Sequence, residues 1–156
     1  RINITQQCRV EDIEKTQREY ERLNIQANIS SFFYDIPSLI AGAHLIICRS
    51  GASTIAELTT IGRPAIFVPY PFAADDHQTQ NAYAIDEVGG GWLLPEASFT
   101  ANILAERLES LFLVPKTLES AQVAAWKAGK PDAAGKLANA VIDLLPNKIF
   151  FTEFTK

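Results

Sequence analysis

The chain has 156 residues, of which 47% are hydrophobic and 21% charged, a composition typical of a folded globular domain rather than a disordered segment. A net charge of −4 argues against nucleic-acid binding through a basic face, and no apolar run approaches the roughly 20 residues of a membrane span. No secretory leader opens the sequence. Cys8 and Cys48 belong to no metal-type cluster, so we expect reduced, buried thiols in a cytoplasmic protein.

The first part of the chain predicts a strand at residues 2–8, a charged helix at about 11–24 and a strand at 27–33. The sequence starts directly in that first strand and contains no methionine, which predicts a piece of a longer protein. Phe32, Phe33 and Tyr34 follow at the end of the third element. They form either a ligand surface at the carboxyl end of a strand or a hydrophobic plug under a loop, and composition favours neither.

The remaining segments continue to alternate between apolar strands and amphipathic helices. Strands are predicted at 45–48, 65–68 and 92–94, and helices at 36–43, 53–61, 76–88, 100–112, 117–128 and 132–145. The fold class is therefore α/β, with a Rossmann-like parallel sheet and helices on both faces. We expect one domain over residues 1–146 and a tail over 147–156.

The stretch from residue 45 to residue 81 organises this pattern. A short apolar strand runs into Gly51 and then into Ser53 and Thr54, which we predict to cap a helix. The first amides of a helix have no partner within it, and the helix dipole favours an anion there, so a phosphate is a natural ligand. Glu57 lies about one turn after Thr54, where a carboxylate would accept hydrogen bonds from ribose hydroxyls. Together these features predict a nucleotide or nucleotide-sugar site.

Two other nucleotide sites are less consistent with the sequence. The glycine run 89–91 is not followed by a helix that opens with Lys and Ser or Thr, as a P-loop requires. A nicotinamide-dependent oxidoreductase is disfavoured because no G-x-G-x-x-G motif is present and Glu57 lies on a helix rather than at a strand end.

The motifs at 49–52, 62–69 and 75–82, joined to Glu57, make a very specific string. They read Arg-Ser-Gly-Ala, Gly-Arg-Pro-Ala-Ile-Phe-Val-Pro and Asp-Asp-His-Gln-Thr-Gln-Asn-Ala. The chain closely resembles the C-terminal half of the MurG family, the bacterial UDP-GlcNAc:lipid I N-acetylglucosaminyltransferases of glycosyltransferase family 28, over nearly its whole length. The resemblance implies a GT-B enzyme whose two Rossmann-like domains face a cleft, with this half holding UDP-GlcNAc.

The resemblance also implies roles for individual residues. Glu57 would take the ribose hydroxyls, and Ser53 and Thr54 would meet the diphosphate, Ser53 through its backbone. Phe32 and Phe33 would line the uracil pocket, with the main chain of Phe33 at the base edge. Gln78, with either Thr79 or Gln80, would bind the sugar hydroxyls. The predicted set is completed by neighbours in the same motifs, namely Arg49, Ser50, Gly51, Asp76 and His77.

His77 has a second interpretation as a general base, since it is the only histidine in a polar loop. We favour a sugar-binding or helix-capping role, because the family's deprotonating group is expected from the N-terminal domain. Neither a metal nor a cofactor is expected, because amides aimed at the phosphates can stabilise the departing UDP.

Other parts of the parent enzyme are implied by the resemblance alone. Lipid I would bind the N-terminal domain, which would also make the membrane contact at the inner face of the plasma membrane, so this chain alone should transfer nothing. The opening strand and Gly-rich turn of the donor domain would precede Arg1. We expect another copy or segment to supply that strand, or the strands at 2–8 and 45–48 to pair directly. The alternative function is a non-catalytic nucleotide-sugar-binding subunit recruited to a membrane partner.

Overall fold

A computed structural model of the chain describes residues 2–144. Strands and helices alternate along the chain, as predicted, with a short 3-10 turn at Val10–Asp12, Ala74–Asp76 and Glu96–Ser98. The strands are β1 (Asn3–Gln7), β2 (Gln26–Ser30), β3 (Ile46–Cys48), β4 (Ala65–Phe67) and β5 (Gly91–Leu93). The helices are α1 (Ile13–Arg22), α2 (Ile36–Gly42), α3 (Ala52–Ile61), α4 (His77–Glu87), α5 (Ala101–Leu113), α6 (Pro115–Ala128) and α7 (Ala133–Leu144).

The first of two compact units covers residues 1–43. In it β1 pairs in parallel with β2, and α1 makes the connection between them. The hydroxyl of Tyr20 on α1 donates to Oε1 of Gln6 on β1 at 2.6 Å, which ties the helix to the strand. Asp35 caps α2 by accepting a hydrogen bond from the Ser38 amide at 3.2 Å. Hydrogen bonds from Ser38 hold the pKa of Asp35 below its ordinary value.

The second unit covers residues 44–156 and contains a parallel sheet in the order β3, β4, β5. All of β4 is buried, which explains why its sequence shows no polar alternation. Ile66 of β4 packs with Val68, Leu94 and Leu111 to form the centre of the core. This packed core supports the side chains at the carboxyl ends of the strands.

The structure explains why glycine occupies two positions. Gly62 ends α3 in the left-handed conformation, with φ of 75°, which confirms the predicted helix end. A Cβ on Gly91 would lie 2.6 Å from the carbonyl oxygen of Ala65 and 2.7 Å from the ring of Phe67. The close approach of β5 to β4 therefore accounts for one glycine of the run that resembles a phosphate loop.

The parallel strands and alternating helices confirm the α/β class, but the strands form two separate sheets. Within residues 2–144, β1 pairs with β2 alone and β3 with β4 alone, so the direct pairing that we considered for β1 and β3 is not formed. The strand predicted at 27–33 ends earlier, at Ser30. The predicted tail lies outside the described residues. No helix among those described combines the length and the apolar character needed to cross a bilayer.

Candidate functional site

The N-terminus of α3 presents main-chain donors. The helix begins at Ala52 with Gly51 as its N-cap, one residue before the predicted start, and neither Ser53 nor Thr54 is the cap. Both lie in the first turn instead, where amides have no acceptor within the helix. The first hydrogen bond within the helix runs from the Ile55 amide to the Gly51 carbonyl at 3.0 Å. This end of α3 can therefore bind an anion through its backbone.

Glu57 follows Thr54 by about one turn of α3 and lies on the exposed side of the helix. Within residues 2–144 its carboxylate makes no hydrogen bond or ion pair. Because a free carboxylate can only accept hydrogen bonds, this group is available to hydroxyl donors of a ligand near the helix N-terminus.

Ser50 joins the turn between β3 and α3 to the start of α4. Its hydroxyl is completely buried and donates to the main-chain carbonyl of Gln78 at 2.7 Å. Asn81 of α4, which we did not single out from the sequence, donates through Nδ2 to the Ser50 carbonyl at 3.1 Å. The hydroxyl proton of Ser50 is thus engaged within the protein, which gives Ser50 a role in positioning α4 next to α3.

Arg49 is also engaged by the protein. Its Nη1 donates to the carbonyl oxygens of Val68 and Pro69 at 3.1 and 3.0 Å. The same nitrogen forms an ion pair with Glu96, and the guanidinium carbon lies 5.5 Å from the centre of the Tyr70 ring. These contacts place Arg49 as a link between the ends of β4 and β5.

Gln78 occupies the first turn of α4, and its side chain is oriented by the backbone. Its Oε1 accepts a hydrogen bond from the Tyr70 amide at 3.0 Å. Within the described part of the chain the Nε2 donors of Gln78 have no acceptor, so they can meet a ligand. The carboxamide therefore presents donors of fixed orientation.

A groove of about 430 Å³ opens at the carboxyl ends of β4 and β5. It is lined by Pro69, Pro71, Phe72, Thr79, Leu93, Pro95, Glu96 and Ala97. Of the two residues predicted to accompany Gln78, Thr79 lines this groove, whereas Gln80 is exposed and its Nε2 lies 3.4 Å from the Asp75 carbonyl. The groove is where a parallel α/β sheet presents its ligand surface.

The loop before α4 has an unusual backbone. Asp75 and Asp76 both have φ of 51°, in the left-handed region that non-glycine residues rarely occupy. Nδ1 of His77 lies 2.6 Å from the Ala74 carbonyl. A carbonyl cannot donate, so Nδ1 carries the proton in this contact. The ring thus helps to hold the loop.

The aromatic turn after β2 belongs to the first unit. Phe32 and Tyr34 pack edge to face with ring centres 5.0 Å apart, yet they are 59% and 96% exposed, which disfavours a buried plug. The Ser30 hydroxyl donates to the Phe32 carbonyl at 2.7 Å and lies 3.3 Å from the Phe32 amide. Among the described residues, the main chain of Phe33 has no hydrogen-bond partner.

Cys8 and Cys48 are both half-buried, which is less than the sequence predicted, and Cys48 lies at the end of β3. Burial raises the pKa of its thiol to about 12, because the thiolate is disfavoured away from water. Within residues 2–144 no group of three His, Cys, Asp or Glu side chains is arranged to hold a metal ion.

The parallel strands and the helices that alternate with them define the class, a Rossmann-like α/β domain, and within residues 2–144 the first amides of α3 are unpaired at the edge of its sheet. The family model described as glycosyltransferase family 28 C-terminal domain matches residues 1–137, and the chain belongs to this family.

Two curated relatives share the name UDP-N-acetylglucosamine–N-acetylmuramyl-(pentapeptide) pyrophosphoryl-undecaprenol N-acetylglucosamine transferase. The one from Paramagnetospirillum magneticum is 56% identical over 148 residues, which cover 95% of this chain and 40% of the relative. The one from Rhodospirillum rubrum is 55% identical over 141 residues, which cover 90% and 36%. The chain therefore spans about two fifths of the length of these relatives.

Among solved structures, MurG of Acinetobacter baumannii superposes with a TM-score of 0.83 at 31% identity. The match covers 91% of this chain and 43% of the MurG chain. The glycosyltransferase VinC, solved in complex with dTDP, has a TM-score of 0.59 at 15% identity and shares the fold.

Proposed function

We propose that this chain binds UDP-GlcNAc as the donor domain of an inverting N-acetylglucosaminyltransferase that converts lipid I to lipid II in peptidoglycan synthesis. The observation that carries the proposal is the start of α3, where amides that are unpaired among the described residues lie about one turn from the exposed carboxylate of Glu57, which is likewise unengaged there. The names of the curated relatives supply the particular sugar and acceptor.

The diphosphate would rest against the amides of Ser53 and Thr54. During transfer, negative charge develops on the departing UDP, and donors fixed before the reaction stabilise that charge without moving a proton. The helix dipole acts in the same direction. The start of α3 would therefore contribute to catalysis as well as to binding.

Glu57 would accept hydrogen bonds from the ribose hydroxyls. A carboxylate next to a diphosphate is repelled by it, so this arrangement suits a ligand that places neutral hydroxyls at that point. Glu57 then selects for a ribonucleotide, because a 2′-deoxyribose lacks one hydroxyl that the carboxylate of Glu57 would otherwise bind.

The sugar would be held by Gln78 and, of the two candidates beside it, by Thr79. Within residues 2–144 the Nε2 donors of Gln78 have no acceptor and the side chain of Thr79 lines the groove, whereas Gln80 is directed to Asp75. Asp76 and His77 would lie near the sugar. Nδ1 of His77 contacts a loop carbonyl, and we assign this ring a structural or sugar-contacting role, because the deprotonating group is expected from the N-terminal domain.

For the aromatic turn of the first unit, the proposal is that the main-chain groups of Phe33, which have no partner in the described part of the chain, meet the edge of the uracil and that Phe32 contributes apolar surface. The Ser30 hydroxyl holds the Phe32 carbonyl, so the backbone next to Phe33 is fixed before a ligand binds.

The acceptor and membrane contacts would belong to a further domain. Curated relatives are more than twice as long as the matched part, so lipid I binding and attachment to the inner face of the plasma membrane are proposed for regions outside this chain. The alternative of a non-catalytic subunit is less favoured, since the relatives that match so closely carry a transferase name.

Calorimetric titration of the chain with UDP-GlcNAc, UDP and NADH tests the proposal. We expect saturable binding of the two uridine nucleotides and none of NADH. Binding of NADH alone, or of none of the three, would overturn it.

A further inference from the structure

We propose that Glu96 is a positioning residue for the donor site, which acts through Arg49 on the carboxamide of Gln78. The inference rests on the proposed function, since it assigns Gln78 to the sugar. Glu96 belongs to none of the motifs that predict the site, and its side chain contacts the protein rather than standing free.

The contact begins at the carboxyl end of β5. Leu94 donates its amide to the Phe67 carbonyl at 2.8 Å, so β5 remains bound to β4 just beyond the ladder. Pro95 follows with φ of −57°, and Glu96 then opens a short 3-10 turn. The carboxylate of Glu96 is therefore carried on a restricted backbone beside the end of β4.

The next link is the guanidinium of Arg49. Nη1 forms the ion pair with Glu96 and donates to the carbonyls of Val68 and Pro69, the residues that lead out of β4. Three acceptors around one end of the guanidinium restrict both its position and the backbone beneath it. Because Arg49 directly follows β3, the contact joins the ends of three strands.

The last link runs from this backbone to Gln78. Tyr70 follows Pro69 directly, and its amide donates to Oε1 of Gln78 at 3.0 Å. That bond fixes the orientation of the carboxamide, since it turns Oε1 toward the Tyr70 amide and the Nε2 donors to the other side. A looser 68–70 backbone would let the carboxamide rotate and weaken its contact with a sugar hydroxyl.

The size of the effect follows from exposure. The side chains of Arg49 and Glu96 are 49% and 40% exposed, so the pair is partly screened by solvent. We expect about a two- to fivefold change in an equilibrium constant when the charge of Glu96 is removed, as for ion pairs at a protein surface.

The test compares the full chain with Glu96→Gln and with Glu109→Gln, a matched control on the exposed side of α5 that changes net charge equally. Two measurements are made on each protein. The first, without ligand, records hydrogen exchange of the Tyr70 amide and the side-chain amide signals of Gln78. The second records the Kd of UDP-GlcNAc and of UDP.

We expect Glu96→Gln to speed exchange at Tyr70, to shift the Gln78 signals and to raise the Kd of UDP-GlcNAc by about two- to fivefold, with the Kd of UDP unchanged. Glu109→Gln should change none of these. Unchanged Tyr70 and Gln78 signals would overturn the proposal, and so would an equal loss of affinity for both ligands, which indicates a general structural role. If the unsubstituted chain binds neither ligand, the proposed function has failed, while the ligand-free measurements still decide whether Glu96 acts on Gln78.

Discussion

The hydroxyl of Ser50 donates a hydrogen bond to the main-chain carbonyl of Gln78 across 2.7 Å in the interior of the second unit. This bond joins segments 28 residues apart in the chain. It fixes the start of α4 relative to the turn that leads into α3, so the donors of Gln78 and the amides of α3 are held in one arrangement.

Removing this hydroxyl should destabilise the fold. We expect Ser50→Ala to lower the free energy of unfolding by about 1–3 kcal/mol, because the Gln78 carbonyl would lose its buried donor. Urea unfolding measures the change. Ser53→Ala, at an exposed position of the first turn of α3, is the control and should change little. Equal losses in the two variants would contradict the role of Ser50.

Glu57 should determine the preference for a ribonucleotide. We expect Glu57→Gln to weaken UDP binding by roughly tenfold or more, since a hydrogen bond to a charged acceptor is worth about 1.5–3 kcal/mol. The same variant should narrow the difference between UDP and 2′-deoxy-UDP, as measured by calorimetry. Glu106→Gln, on the exposed side of α5, controls for the change in charge. An undiminished preference for UDP in Glu57→Gln would show that another group contacts the ribose.

Gly91→Ala should disrupt the contact between β5 and β4. The added Cβ would lie 2.6 Å from the Ala65 carbonyl, and that backbone lies in the buried strand. We expect a loss of about 1–3 kcal/mol in the free energy of unfolding, as for other overpacked sites. Gly42→Ala is the matched control, because nothing lies within 4 Å of its Cβ position. Thermal or urea unfolding that ranks Gly42→Ala as the more damaging change would contradict this packing.

Cys48 should make stability depend on alkaline pH. Burial raises the pKa of its thiol from 9.0 to about 12, so the unfolded chain loses this proton first and stability falls as pH rises above 9. Below pH 9 the protonated thiol leaves stability unaffected. The free-energy gap between the unsubstituted chain and Cys48→Ala should therefore be constant up to pH 9 and narrow towards pH 12. A constant gap over the whole range would mean that the folded thiol titrates normally.

The sequence predicted much of the fold because its apolar runs have a clear period. The buried strand β4 and the helices α4 to α6 lie within a few residues of their predicted bounds. The predicted bounds of β2 and α3 were wrong, because local polar groups determine where these elements begin or end. β2 stops at Ser30 because its hydroxyl bonds the main chain of Phe32 and turns the chain, and α3 uses the extended Gly51 as its cap.

For the site, too, local motifs could be read from the sequence and long-range contacts could not. The motif predicts that the amides of α3, Glu57 and Gln78 belong to the site, but it did not reveal that the side chains of Ser50 and Arg49 bind the protein itself. Those contacts join residues far apart in the chain, which no local pattern encodes. Asn81 stood within a quoted motif, so its polar side chain three residues after Gln78 was the available signal for its contact with Ser50. Glu96 had no comparable signal.

The most direct measurement of the central claim is a titration of the 15N-labelled chain with UDP, followed through the backbone amide signals. If a diphosphate rests at the start of α3, the amides of Ser53 and Thr54 should show large, saturable shifts, and inorganic sulfate should not reproduce the full pattern. Saturable binding of UDP that leaves these two amides unmoved would contradict the account.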